Sequence, residues 1–145
     1  MILLTLDTSS ESEAAVPVAL DLARRFDQPL RVLLVIDGQL RHQFAELGRG
    51  RQASVDEVAQ DYLARIAGGA GSTGTPSIEL AFRHAVDAAA GIVEAAEDPE
   101  VALVVMATHG RSGISRVLTG SVTAEVIRSS PVPVVVVPAR VKPAP

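Results

Sequence analysis

The chain alternates between short apolar runs and segments in which apolar residues recur at helical spacing, and this alternation limits the possible folds. The run "PLRVLLVID" is apolar at almost every position, as is typical of a strand buried on both faces of a parallel sheet. The runs "MILLTLD", "SIELAF", "VALVVMA" and "VPVVVVP" predict four further strands. Strands that alternate with helices predict a parallel sheet with helices on both faces and right-handed crossovers.

The first predicted helix follows the first strand and carries apolar residues at steps of three and four from Ala15 to Phe26. Pro17 conflicts with a regular helix that begins as early as Ser10, because a proline inside a helix removes a hydrogen bond and clashes with the preceding turn. The sequence therefore predicts a helix that either starts near Glu13 or is kinked.

A capping-box pair, Ser54 and Glu57, predicts the start of the second helix, and Gly68 predicts its end. The Ala-rich segment "DAAAGIVEAAED" predicts a third helix, and residues Ser121 to Arg128 predict a fourth. Apolar residues that share one face of the second helix are Val55, Val58, Tyr62 and Ile66.

The length of 145 residues and the 48% hydrophobic composition suit one domain, which we expect at residues 1–139, with a flexible tail at 140–145. A net charge of −4 gives little support for binding nucleic acid through its phosphates. The absence of cysteine excludes a thiolate metal site or a cysteine nucleophile. The first apolar run is too short for a signal peptide or a membrane span, so we expect a cytoplasmic protein with no membrane partner.

The segment "VVMATHGRSGISRVLTGSVTAEVI", residues 104–127, passes from a predicted strand through a glycine-rich loop into a predicted helix. Glycines at Gly110, Gly113 and Gly120 let another group approach the backbone closely, and the amides at a helix start attract anions. Ser121 and Thr123 could add hydroxyl donors. The segment therefore suits phosphate, although glycine and serine also serve as ordinary turn and cap residues at such a position.

This segment, together with "ILLTLDTSSESEAAVPVALDLA" and "VLLVID", resembles the universal stress protein domain along almost the whole chain. The nucleotide-binding branch of that family carries glycine, two residues, glycine, nine residues, glycine, and then serine or threonine. Gly110, Gly120 and Ser121 fit that spacing, whereas Ala107 stands at the first glycine. The resemblance implies a Rossmann-like three-layer α/β sandwich with a five-stranded parallel sheet of order 3-2-1-4-5.

The resemblance also implies an adenine-nucleotide site, with ATP, ADP or AMP as the ligand and Mg²⁺ carried by the nucleotide. Asp7 matches a family carboxylate that contacts the adenosine part, and Val35 matches a residue near the base. The phosphates would lie against the loop after the fourth strand and the start of the next helix. Predicted nucleotide-binding residues are Thr5, Asp7, Val35, Ala107, Gly110, Arg111, Ser112, Gly120, Ser121, Val122 and Thr123.

Ala107 departs from the glycine of the family pattern, and the energetic cost of this departure depends on the backbone φ angle. Its methyl group is tolerated where the backbone φ is negative, and it costs about 1–2 kcal/mol where φ is positive. Thr5 and Thr8 stand where the family often has proline and glycine, and Val86 stands near a common glycine after the third strand.

Three other classes of site have weaker support in the sequence. The segment Gly69 to Pro76 resembles a Walker A loop, but it lacks the lysine and follows a helix rather than a strand. A receiver domain would have a second acid beside Asp7 and a lysine directly after the fifth strand. His42, His84 and His109 have no metal-ligand partners at suitable spacing, so no metal site is predicted.

The resemblance also implies a homodimer formed through the fifth strand, here Val132–Val137, whose apolar edge needs cover. We expect an ATP-binding regulatory module for the stress response, with slow or no hydrolysis and no catalytic residue, because phosphate positioning alone does not stabilise a transition state. The alternatives are a nucleotide-free dimeric interaction module of the same family and a slow ATPase.

Overall fold

The computed structural model describes residues 1–71, 76–108 and 120–139. These residues form a parallel sheet of five strands in the order β3-β2-β1-β4-β5, so the fold class and strand order expected from the resemblance are confirmed. The strands are β1 (Ile2–Leu6), β2 (Leu30–Ile36), β3 (Ile78–His84), β4 (Leu103–Thr108) and β5 (Val134–Pro138). The helices are α1 (Ser10–Glu13), α2 (Val16–Arg25), α3 (Gly38–Arg49), α4 (Val55–Gly69), α5 (Ala88–Ala96) and α6 (Ser121–Ser129).

Each face of the sheet has its own apolar core. On one face, Leu4 and Leu34 are fully buried together with residues of α2, α3 and α4. On the other face, Leu3 and Val104 are fully buried together with residues of α5 and α6. Successive strand residues point to opposite faces, and this explains why β1 and β2 are apolar along almost their whole length.

Pro17 divides the first predicted helix in two. The chain forms α1, passes through a turn at Ala14 and Ala15 in which both residues keep right-handed φ and ψ angles, and resumes as α2 with Pro17 in the first turn. A proline there loses no intrahelical hydrogen bond, because the amides of the first turn have no partner within the helix. The break between α1 and α2 is closer to the predicted kink than to a helix that starts near Glu13. Phe26, which the spacing placed on the apolar face of the helix, is 62% exposed.

The helix α3 was not predicted from the sequence. Asp37, which the sequence placed at the end of the second strand, caps this helix, and its Oδ1 accepts a hydrogen bond of 2.8 Å from the amide of Leu40. Leu40 and Phe44 are buried on the face that packs toward the sheet. The sequence signal for α3 was an aspartate at a possible N-cap position, Asp37, followed by the apolar residues Leu40 and Phe44 at helical spacing.

The remaining predicted elements are present with small changes in their bounds. The capping box of α4 is formed, with both the Ser54 and the Glu57 hydrogen bonds, and the helix continues to Gly69, one residue past the predicted stop. The strand β5 begins at Val134, so Val132 precedes it. The predicted tail at 140–145 lies outside the described residues.

Candidate functional site

The strands β1 and β4 stop pairing before their carboxyl ends, and the region between these unpaired ends is termed the crevice. The chain runs from β1 through β2 to β3 on one side and from β4 to β5 on the other, so the strand order reverses between β1 and β4. Their pairing ends at Leu4 and Val105, although β1 continues to Leu6 and β4 to Thr108. In sheets of this kind ligands bind at this switch point.

The turn after β1 places Asp7 at one side of this crevice. The Oδ1 atom of Asp7 accepts hydrogen bonds from the amide of Ser9 at 2.9 Å and from the Ser9 hydroxyl at 2.5 Å. Thr8, between them, has a φ of 72°, a left-handed conformation that is unusual for a β-branched residue. Thr8 stands where the family often has glycine, and the backbone conformation accounts for that preference.

The start of α6 is the second part of the candidate site, and it follows β4 in the chain. Gly120 is the N-cap and makes no side-chain capping bond, so the first-turn amides of α6 lack a side-chain partner from the cap. Ser121 is exposed, Val122 is 36% exposed, and Thr123 is buried at 3% exposure. Ser121 is therefore the more accessible of the two predicted hydroxyl donors.

Ala107 fits its position without backbone strain. It lies within β4, paired in register with Val137, and it is not among the described residues with positive φ. The first of the two cases considered from the sequence therefore applies, and the methyl group is tolerated.

Thr5 and Val35 are buried on the face covered by α5 and α6. Thr5 is 5% exposed in β1, and Val35 is 5% exposed in β2. Val35 packs beneath α5, where a side chain added at Gly91 would meet the Val35 Cγ1 at 2.6 Å. The predicted contacts of Gly110, Arg111 and Ser112, like those of His109, fall outside the described residues.

A second feature joins the Asp7 turn to α4. Glu13, at the end of α1, accepts hydrogen bonds from the Tyr62 hydroxyl at 3.2 Å and from Arg65 Nη2 at 2.8 Å. Burial, followed by the negative charge of Glu13, raises the pKa of Tyr62 far above its usual range. A groove of about 400 Å³ next to Thr8 is lined in part by Tyr62 and Phe44.

The described ranges contain neither a metal-ligand cluster nor a membrane span. Within residues 1–71, 76–108 and 120–139, no three His, Cys, Asp or Glu side chains come together as a metal site would require. His84 instead contacts Asp56 Oδ1 at 2.8 Å through its Nε2 atom. No helix in the same ranges has the length and apolar character needed to cross a membrane.

Sequence reasoning missed the hydrogen bonds that Ser9 and Ser12 make within the Asp7 turn. The amide of Asp7 donates to the Ser12 hydroxyl at 3.3 Å, and the Ser12 amide donates to the Ser9 hydroxyl at 3.0 Å. The spacing of aspartate to serine two residues later is a turn signal, and it could have identified Ser9.

The strand order defines a doubly wound α/β protein, a class in which ligands bind at the switch point of the sheet. The model of the universal stress protein family matches residues 1–138, so this chain belongs to that family. It is 31% identical to universal stress protein MJ0531 of Methanocaldococcus jannaschii over 138 residues, which cover 94% of this chain and 80% of that relative.

Solved structures of the same family have the same fold. Universal stress protein UspA from Lactobacillus plantarum matches with a TM-score of 0.67 at 25% identity, covering 94% of this chain and 95% of that one. A universal stress protein solved in complex with cAMP matches with a TM-score of 0.65 at 24% identity, covering 95% of each chain. The universal stress protein from Archaeoglobus fulgidus, solved in complex with dAMP, matches with a TM-score of 0.62 at 20% identity, covering 93% of this chain and 94% of that one.

Proposed function

We propose that this chain is an ATP-binding regulatory module that binds one adenine nucleotide in the crevice between β1 and β4. The observation that carries the proposal is that the pairing of β1 with β4 ends at Leu4 and Val105, at the edge of the sheet where the Asp7 turn follows β1. The start of α6, which has no side-chain cap, follows β4 in the chain. We place the Asp7 carboxylate at one end of this crevice and the start of α6, which attracts anions, at the other. A nucleotide carries the matching groups, a nucleoside with hydroxyl donors and a chain of phosphates.

The phosphates would lie against the backbone amides of Ser121, Val122 and Thr123, with Gly120 leaving room for their approach. The hydroxyl of Ser121, which is exposed, would add a donor. Asp7 would accept from the adenosine part, and Val35 would lie near the base. Magnesium would arrive bound to the phosphates, because Mg²⁺ at nucleotide sites is held mainly by substrate oxygens and water.

The cAMP and dAMP complexes of the two structural relatives support an adenine nucleotide as the ligand class. Their likeness to this chain, at 24% and 20% identity, extends to the fold. The choice of ATP over ADP or AMP therefore rests on the spacing of Gly110, Gly120 and Ser121 in the sequence, which resembles that of the nucleotide-binding branch of the family.

The proposed module holds nucleotide without rapid turnover. Asp7 Oδ1 is already engaged by two hydrogen bonds from Ser9, and this geometry suits recognition better than removal of a proton from water. Binding the phosphates in their ground state does not accelerate hydrolysis unless the transition state is bound more tightly. We propose that nucleotide binding changes the conformation or the dimeric state of the chain, which would associate through β5.

Titration calorimetry on nucleotide-free protein tests the binding proposal. We expect micromolar binding of ATP with magnesium, weaker binding of AMP, and loss of binding in Gly120→Val, whose side chain blocks the approach to the amides of α6. Gly50→Val is the matched control, because a side chain there meets nothing within 4 Å and the position lies at the end of α3.

Absence of binding in the nucleotide-free wild type would contradict the proposal and favour the nucleotide-free dimeric interaction module. Phosphate release measured on the same samples separates the binding module from a slow ATPase. Steady release that Gly120→Val abolishes would favour the ATPase.

A further inference from the structure

The carboxylate of Asp7 is held in place before any ligand arrives. The Ser12 amide donates to the Ser9 hydroxyl at 3.0 Å, and that hydroxyl donates to Asp7 Oδ1 at 2.5 Å. The Ser9 amide donates to the same oxygen at 2.9 Å. One serine hydroxyl thus connects the carboxylate to the first turn of α1, and such a chain of bonds is mutually reinforcing.

A second serine closes the turn from the opposite direction. The Ser12 hydroxyl accepts from the Asp7 amide at 3.3 Å and donates to the Ser9 carbonyl at 2.9 Å. The backbone and the side chain of Asp7 are therefore both tied to α1. Thr8 adopts its left-handed φ of 72° between the two tied residues.

We infer that Ser9 is a positioning residue that fixes the Asp7 carboxylate for the adenosine part of the nucleotide; this rests on the proposed function. Asp7 is exposed, and the two hydrogen bonds from Ser9 to its Oδ1 restrict the rotamers that its side chain can adopt. Ordering such a side chain at the moment of binding weakens affinity, whereas a side chain ordered in advance avoids that loss. From the cost of ordering one side chain, we expect Ser9 to strengthen nucleotide binding about 3- to 10-fold.

A double-mutant cycle tests whether Ser9 acts through Asp7. We expect Ser9→Ala to weaken ATP binding about 3- to 10-fold in the wild type and to have no further effect in an Asp7→Ala background, because the group that Ser9 positions is then absent. Ser9→Thr, which keeps the hydroxyl, should restore most of the affinity. Equal losses in both backgrounds would overturn the inference.

Ser54→Ala is the matched control for the loss of a helix cap. Ser54 caps α4 as Ser9 caps α1, through a hydroxyl that accepts from the amide three residues later. Its replacement should lower the melting temperature and leave ATP affinity unchanged. If Ser54→Ala weakened ATP binding as much as Ser9→Ala does, loss of stability would explain both results and the positioning role would be rejected.

NMR couplings that report the χ1 angle of Asp7 provide a readout without nucleotide. We expect a single rotamer in the wild type and rotamer averaging in Ser9→Ala. Averaging in the wild type itself would overturn the positioning role even if ATP binds. A single wild-type rotamer in a protein that binds no nucleotide would instead reject the proposed function, and with it the role of Ser9 in binding.

Discussion

Thr8 combines a β-branched side chain with a left-handed backbone, and this combination is strained. Its φ is 72°, and a non-glycine residue in this region loses about 1–2 kcal/mol relative to the right-handed conformation. Glycine would relieve that strain, but it loses about 0.5–1 kcal/mol more in conformational entropy on folding. We therefore expect Thr8→Gly to increase the free energy of unfolding by up to about 1 kcal/mol in urea denaturation.

Thr8→Ala separates the backbone effect from loss of the threonine side chain. Alanine keeps the Cβ atom that conflicts with positive φ, so it should not reproduce the gain. A stabilisation by alanine equal to that by glycine would show that the side chain, and not the backbone conformation, is the source of the strain.

At the scale of the elements, two helical glycines have opposite surroundings. A Cβ atom added at Gly91 of α5 would lie 2.6 Å from Val35 Cγ1 and 3.0 Å from Ala85 Cβ, whereas one added at Gly68 of α4 meets nothing within 4 Å. Overpacking costs about 1–3 kcal/mol, and alanine in a helix recovers about 1 kcal/mol relative to glycine.

We therefore expect Gly91→Ala to lower the free energy of unfolding by up to about 2 kcal/mol and Gly68→Ala to raise it by about 0.5–1 kcal/mol. Urea denaturation of both variants measures the difference. A stabilised Gly91→Ala would mean that β2 can move away from α5 at little cost.

Arg31 of β2 ties two neighbouring elements together at the amino ends of the strands. Its Nη1 atom contacts Asp98 Oδ2 at 2.7 Å, and its Nε atom contacts Glu79 Oε1 of β3 at 2.8 Å. The hydrogen bond from Arg31, followed by one from the Glu100 amide, lowers the pKa of Asp98 below its ordinary value. Because the folded pKa is the lower one, this stabilisation is present above the unfolded pKa of about 4 and is lost as the pH falls through the folded pKa.

Asp98→Asn should accordingly flatten the acid limb of a plot of unfolding free energy against pH, below about pH 4. Arg31→Gln removes the main cause of the shift and should flatten the same limb, and the double variant should add little. An acid limb in Asp98→Asn as steep as that of the wild type would exclude this ion pair as a source of the pH dependence.

The elements that the sequence predicted best are those with a local signal of their own. The capping box at Ser54 and Glu57 and the apolar run of β2 each specify an element without help from distant residues. The helix α3 was missed because Asp37 fits equally well as the last polar residue of a strand. The helical spacing of Leu40 and Phe44 after it is a weak signal by itself, and the packing of both residues against the sheet decides in favour of the helix.

At the scale of the whole molecule, the sequence predicted that Asp7 and the start of α6 would share one edge of the sheet. That follows from strand order alone, because parallel strands bring their carboxyl ends to the same edge. No sequence signal marks the end of the β1–β4 pairing at Leu4, because both strands continue beyond the last paired residues. The tie between Ser9 and Asp7 likewise depends on how the turn folds.

The proposed dimer would cover β5, which is an edge strand of the sheet. Val136 is half-buried in the single chain, and neither apolar core includes it among the described residues. In a two-fold dimer each substitution is present twice at the interface. We therefore expect Val136→Glu to weaken dimerisation about 100-fold or more, as judged by sedimentation velocity, because two unpaired charges would be buried.

Leu80→Glu is the matched control at the opposite edge of the same sheet. Leu80 lies in β3 and is 40% exposed, so a charge there should leave the dimer intact if association uses β5 alone. Circular dichroism of both variants checks that the fold is retained, since a misfolded Val136→Glu would also fail to associate. A wild type that sediments as a monomer at micromolar concentration would contradict the dimer itself. A Leu80→Glu variant that dissociates while Val136→Glu does not would place the interface elsewhere.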